Sequence, residues 1–203
     1  MLHGPVSANK YYIYSAIGRT GSTRLCNLIH PGPHCLWAPF VKDELTTQTV
    51  IHSHTLVFPV PEGFQPILST RKDKRDIVLS NFIARKTGDW IPGKAPPTIK
   101  PFSVDINDYI ALTKQVILKE EQFIKKNNPI IIYLEDSVDL IENKLNTALL
   151  RAADRTTVSK HPPDAYIANY TECLNAYMRL ASASSAEQFA KSDAKSDAML
   201  DAQ

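Results

Sequence analysis

Gly18–Arg19–Thr20–Gly21–Ser22–Thr23 is the segment of this 203-residue chain best suited to hold an anion. Its two glycines permit a close backbone turn, Ser22 and Thr23 offer hydroxyls, and Arg19 adds a charged fork matched to phosphate or sulfate oxygens. Where a strand runs through such a loop into a helix, the first helical N–H groups lack intrahelical partners. They point, with the positive end of the helix, at whatever occupies the turn. A glycine turn with a capping Ser or Thr accounts for the same residues more simply. The loop is not that of ATPases and GTPases, which places four residues between its first glycine and Gly–Lys–Ser/Thr. Here Ser22 and Thr23 follow Gly21 directly, and no obvious acidic partner for magnesium comes after.

His52–Ser53–His54 is a second candidate for chemistry. Strand alternation across Val50–Leu56 puts His52 and His54 on one face and Ser53 on the other. Imidazole accepts and releases protons near neutral pH without a large shift, which suits a general base. Two hydrogen-bonded histidines near a sheet end are the structural alternative.

The elements that position these groups follow from periodicity and turn residues. Tyr11–Ile17 is rich in aromatic and β-branched residues and reads as a strand ending at Gly18. Leu25, Leu28 and Ile29 supply a short helical face that stops near Pro31. Residues 31–48, interrupted by Pro31, Gly32, Pro33 and Pro39, read as irregular. Thr49–Phe58 is β-rich, Pro59–Gly63 is a turn, and Ile67–Thr70 is a short strand with Arg71–Arg75 as its charged exit. A helix opens near Asp76, and Gly88–Pro101 reads as a long surface loop. Asp105 is placed to cap a helix with an apolar face of Ile106, Tyr109, Ile110, Val116, Ile117 and Phe123, which ends by Asn128 because Pro129 follows. Ile130–Leu134 has the length and continuous apolarity of a strand covered on both faces. Ser137 caps a further helix whose face includes Val138, Ile141, Leu145, Ala148 and Leu149, and another helix spans Asp164 to about Leu180. Strands alternating with helices predict an α/β fold: a mostly parallel sheet in a three-layer α/β/α arrangement.

The totals predict one domain over residues 1–180. Residues 181–203, nearly all Ala, Ser, Asp, Lys and Gln with an immediate Lys–Ser–Asp–Ala repeat, predict a frayed or disordered tail. A net charge of +2 does not suggest a wrap-around nucleic-acid binder. Cys26, Cys35 and Cys173 show neither a disulfide framework nor metal-ligand spacing, and no metal site is expected. The first residues lack the apolar core of a signal peptide, and no apolar run approaches the roughly 18 residues of a membrane span. The expected location is cytoplasmic.

Ser15 to Leu25 resembles the 5′-phosphosulfate-binding loop of sulfotransferases that use 3′-phosphoadenosine 5′-phosphosulfate (PAPS). In that family a basic residue precedes a Ser/Thr–Gly–Thr/Ser–Thr stretch at the mouth of the first strand, where Arg19 and Thr20–Thr23 stand here. Leu68 to Phe82 resembles the family's 3′-phosphate site, in which an Arg leaves a strand and a Ser sits on the next helix. Arg71 matches the Arg and Ser80 the Ser; Lys72, eight positions before Ser80, is the alternative to Arg71. A bidentate guanidinium contact and one hydroxyl donor suit a phosphate. Thr87–Gly88–Asp89–Trp90 and Tyr133–Leu134–Glu135–Asp136 are similar to further family segments, and Glu135 and Asp136 are expected to bond nearby backbone donors.

The resemblance implies a P-loop-like nucleotide-binding fold with PAPS as sulfuryl donor and PAP as product. It implies a hydroxyl acceptor on a carbohydrate or small metabolite. Gly18, Arg19, Thr20, Gly21, Ser22, Thr23, Arg71 and Ser80 would bind the donor, with Arg19 also assisting transfer. His54 matches the family's catalytic histidine and His52 stands where relatives carry lysine; Glu44 is the alternative base. Two other readings remain open: a small nucleoside or nucleotide kinase, and a sulfotransferase-like domain that binds a nucleotide or protein without catalysis.

Overall fold

Four parallel strands form the sheet in the computed structural model, which describes residues 10–30, 50–56, 59–88, 100–150 and 163–183. They are β1 (Lys10–Tyr14), β2 (Val50–Ser53), β3 (Phe64–Thr70) and β4 (Ile130–Tyr133), side by side in the order β2–β1–β3–β4. Ile13 stands opposite His52 on one side and Ile67 on the other, and Ile67 is level with Ile130. The helices are α1 (Ser22–Ile29), α2 (Lys74–Thr87), α3 (Ile106–Asn127), α4 (Val138–Leu145) and α5 (170–183), with a 3-10 turn at Pro163–Ala165.

Alternation along β1 feeds two cores. Tyr12 and Tyr14 pack with Ile51, Leu68, Val78 of α2, Val116 and Phe123 of α3, and Cys173 of α5. Tyr11 and Ile13 pack with Leu25 and Leu28 of α1 and Ile141 and Leu145 of α4. Helices therefore cover both faces of the parallel sheet, as the alternating pattern predicts. Burying each large apolar side chain contributes about 1.5–3 kcal/mol before chain entropy is counted.

Local chemistry sets the ends of the helices. Asp105 accepts from the N–H groups of Asn107 and Asp108, Ser137 accepts from Leu140 N–H, and Asn128 closes α3 in the left-handed region at φ 44°. Several boundaries differ from the sequence expectation. β1 ends at Tyr14 rather than Ile17, and β2 ends at Ser53, whose hydroxyl donates to Thr55 O and accepts from Thr55 N–H, folding the chain out of the sheet. β3 starts at Phe64 and includes Pro66; pairing with β4 begins only at Ile67, so Pro66 has a ladder on one side alone. α4 stops at Leu145 under an Asn146 cap at φ 49°, leaving Ala148 exposed beyond it. The helix expected from Asp164 is broken, because Ile167 bridges to Phe102 and the Asn169 side chain bonds both Val104 N–H and Val104 O. Residues 31–49, 89–99 and 184–203 lie outside the described residues, and with them Cys35, Asp43, Glu44, Asp89, Trp90 and most of the expected tail. Among the described residues no helix is long and apolar enough to cross a membrane.

α2 begins two residues before Asp76. Its cap is Asp73, which accepts from Arg75 N–H and pairs with the Arg75 guanidinium. That guanidinium is the main reason the Asp73 carboxyl titrates below its ordinary 3.8, with burial opposing. A depressed carboxyl stabilises the fold above 3.8, and the contribution is lost as pH falls through the folded-state value. Asp73→Ala is therefore expected to cost about 0.5–2 kcal/mol at neutral pH. In chemical denaturation the gap between parent and variant should close under acid conditions; a gap independent of pH would contradict the cap assignment.

Candidate anion-binding site

The strand order places a switch point between β1 and β3. From β1 the chain passes through α1 to β2 on one side, then crosses to β3 on the other. In open parallel sheets the crevice at the carboxyl ends of such strands is where ligands bind. The loop after β1 and the Arg71–Asp73 segment after β3 both leave the sheet at that edge.

Ser15 extends β1 by one bond, its N–H donating to Ser53 O at 3.0 Å. The chain then turns through Arg19 at φ 77° and Gly21 at φ 84° into α1. Thr20 is fully buried: its carbonyl accepts from the Ser69 hydroxyl at 3.2 Å, and its own hydroxyl has no partner among the described residues. Gly21 occupies the N-cap, no side chain caps the helix, and its first turn carries no acid. Ser22 is buried and Thr23 exposed. An orphan buried hydroxyl and an uncapped, positively polarised helix end thus lie side by side, an arrangement suited to an oxyanion.

Gly21 is also sterically fixed. A Cβ there would lie 2.5 Å from Leu134 Cδ1 and 3.1 Å from its Cβ, in a backbone conformation that side chains resist. Gly21→Ala is expected to cost at least about 1–2 kcal/mol from the left-handed backbone alone. That would lower the melting temperature by roughly 2–8 °C for a chain of this size. An unchanged melting temperature would contradict this geometry. Arg24, in the first turn of α1, donates from Nη1 to the carbonyls of Leu134 at 2.9 Å and Asp136 at 3.1 Å, so it ties α1 to the end of β4.

His52 and His54 do come together, with ring centroids 4.7 Å apart and nearly perpendicular planes. His52 is 2% exposed on β2, whereas His54 lies just past the strand and is half-buried. Ser15 joins them: its Oγ is 3.2 Å from His52 Nε2 and 2.7 Å from His54 Nδ1. Ser15 Oγ also lies 3.5 Å from Ser22 Oγ, which connects the histidine pair to the first residue of α1.

The second basic group is arranged differently. Arg71 Nε donates to Glu135 Oε1 at 3.0 Å and Nη2 donates to Asp76 Oδ2 at 3.1 Å, so two carboxylates occupy its fork. Burial raises the Asp76 carboxyl even against the opposing pull of Arg71. Ser80 is buried on α2 and makes no hydrogen bond to Arg71. Lys72 is exposed, its N–H donating to Glu135 Oε2 and its ammonium 5.9 Å from the centre of the Tyr133 ring. Glu135 and Asp136 bond backbone donors as expected, Asp136 accepting from Tyr133 N–H and from Lys144.

One group at this edge escapes the sequence reading. Thr70 at the end of β3 donates to Glu120 Oε1 at 2.6 Å, and Lys74 Nζ lies 2.6 Å from both Glu120 Oε2 and the Thr70 hydroxyl. Glu120 is 4% exposed, so β3, α2 and α3 are locked together through a buried ion pair. Away from this edge, a groove of about 510 Å³ between α2 and α3 is lined by Phe82, Arg85, Asp108, Ala111, Leu112 and Gln115. No family model, no curated protein and no solved structure matches the chain.

Proposed function

We propose that the chain is a sulfotransferase with a P-loop-like donor site, transferring a sulfuryl group from PAPS to a hydroxyl on a carbohydrate or small metabolite. The observation that carries this reading is the adjacency of the uncapped α1 N-terminus, with the orphan Thr20 hydroxyl, to the histidine pair. In this reading Gly18–Thr23 holds the 5′-phosphosulfate, Arg19 supplies charge to the transferring oxygens, and Arg71 or Lys72 with Ser80 holds the 3′-phosphate. The acceptor oxygen attacks sulfur as its proton passes to His54. The bond from sulfur to the phosphate oxygen breaks, and PAP leaves with the electron pair. In-line positioning and charge stabilisation dominate such transfers.

Isothermal titration with PAP tests the reading, and a folded sample that takes up no PAP at millimolar concentration would end it. Binding of the 3′-phosphate requires Arg71 to exchange carboxylate partners for phosphate oxygens. Arg71→Ala is therefore expected to weaken PAP by about 1.5–3 kcal/mol more than adenosine 5′-phosphate. Equal weakening of both ligands moves the role to Lys72. The pairing of Arg71 with Glu135 and Asp76 also favours a second reading, an anion- or nucleotide-binding domain without transfer. That reading expects PAP to bind no more tightly than adenosine 5′-phosphate.

A further inference from the structure

We infer that Ser15 is a positioning residue that fixes which ring nitrogen each histidine offers, presenting Nε2 of His54 as the proton acceptor and receiving His52 through its own Nε2. The inference rests on the proposed role of His54 as base and names what sets its working atom. His54 Nδ1 lies 3.0 Å from the carbonyl oxygen of Ser15 as well as 2.7 Å from its hydroxyl. A carbonyl oxygen can only accept, so Nδ1 carries the hydrogen, and in the neutral ring the basic lone pair sits on Nε2. The hydroxyl of Ser15 accepts from the same Nδ1–H and therefore keeps its own hydrogen to give. His52 Nε2 at 3.2 Å is nearer than Ser22 Oγ at 3.5 Å, so His52 receives it and bears its own hydrogen on Nδ1.

The electrostatics agree with this assignment. When His54 takes a proton, the new charge is met by the carbonyl and hydroxyl oxygens of Ser15, which already face Nδ1. The backbone of Ser15 is fixed in turn by its N–H bond to Ser53 O, one residue before His54.

Two-bond proton–nitrogen correlation spectra of the full ¹⁵N-labelled chain, read above the titration of both rings, test this without any turnover. The expected spectrum shows His54 and His52 each with a hydrogen on Nδ1 and a lone pair on Nε2. A hydrogen on Nε2 of His54 would overturn the proposal even if PAP binds and sulfate is transferred. The expected tautomers in a chain that does not bind PAP would instead sink the sulfotransferase reading and leave the ring assignment standing. Ser15→Ala adds a second measurement: the His52 Nε2 resonance should shift, and transfer should fall by up to about 100-fold at nearly unchanged PAP affinity, as for a misoriented catalytic group. Unchanged His52 resonances in that variant would contradict the hydroxyl's role.

Discussion

His54→Ala is expected to lower single-turnover sulfuryl transfer by roughly 10²- to 10⁴-fold while leaving PAP affinity nearly intact. The separation follows from position. His54 touches Ser15 and the edge of His52, beside the helix end assigned to the donor rather than within it. Its loss removes the proton acceptor without removing a donor contact. His52→Ala is expected to have a smaller effect on transfer and a larger one on stability, because His52 is buried on β2 with Ser15 as partner. Glu44→Gln, at a position outside the described residues, should transfer at the parent rate. Single-turnover rates and titration of PAP for all three variants separate these roles. A folded His54→Ala chain, saturated with donor and transferring at the parent rate, would exclude His54 from the chemistry.

Lys74→Met is expected to destabilise the fold by about 3–5 kcal/mol, the cost of leaving a buried carboxylate without its cation. Glu120 is 4% exposed, and its carboxylate is held by Lys74 and the Thr70 hydroxyl alone among the described residues. The same carboxylate, after burial itself, helps push the phenol of Tyr14 above its ordinary range. At roughly 2–4 °C per kcal/mol, the melting temperature should fall by roughly 6–20 °C. Lys74→Met combined with Glu120→Leu should recover most of the loss, since replacing a whole buried ion pair by apolar groups is often neutral. A single variant that loses less than about 1 kcal/mol would show that the carboxylate finds water or another partner.

Much of this architecture was legible because the signals were local. Asp105, Ser137 and Pro129 mark helix ends by chemistry confined to a few residues, and the run Ile130–Leu134 stands out as a strand, which the structure bounds at Ile130–Tyr133 with Ile132 alone of the four buried. The spacing of His52 and His54 anticipated that the two rings meet, although His54 lies beyond the end of β2 rather than on it. Non-local chemistry was hidden. The buried stripe of α3 runs through Tyr109, Thr113, Val116, Glu120 and Phe123, alternately four and three apart, yet two of its members are polar. An apolar pattern passes over Glu120, whose burial depends on Lys74, 46 positions earlier in the numbering. Arg71 presents the converse case. Its motif describes a phosphate contact, but Glu135, brought alongside by β4, occupies the fork. Ser15 opens the loop match, but nothing in the sequence pointed to a role for its side chain, which comes from the parallel register that sets Ser53 and the histidines beside it. Asp73 was masked by the basic run around it and read as part of a charged strand exit.

The central claim, that an anion is held by the loop entering α1, is tested most directly by titrating PAP into the ¹⁵N-labelled chain and following backbone amides. Saturable shifts are expected to concentrate at Gly18–Thr23, with smaller ones at Arg71 and Lys72, and to be lost in Gly21→Ala under conditions where that variant remains folded. Shifts confined to the groove between α2 and α3, around Arg85 and Gln115, or no saturable shifts at all, would contradict it.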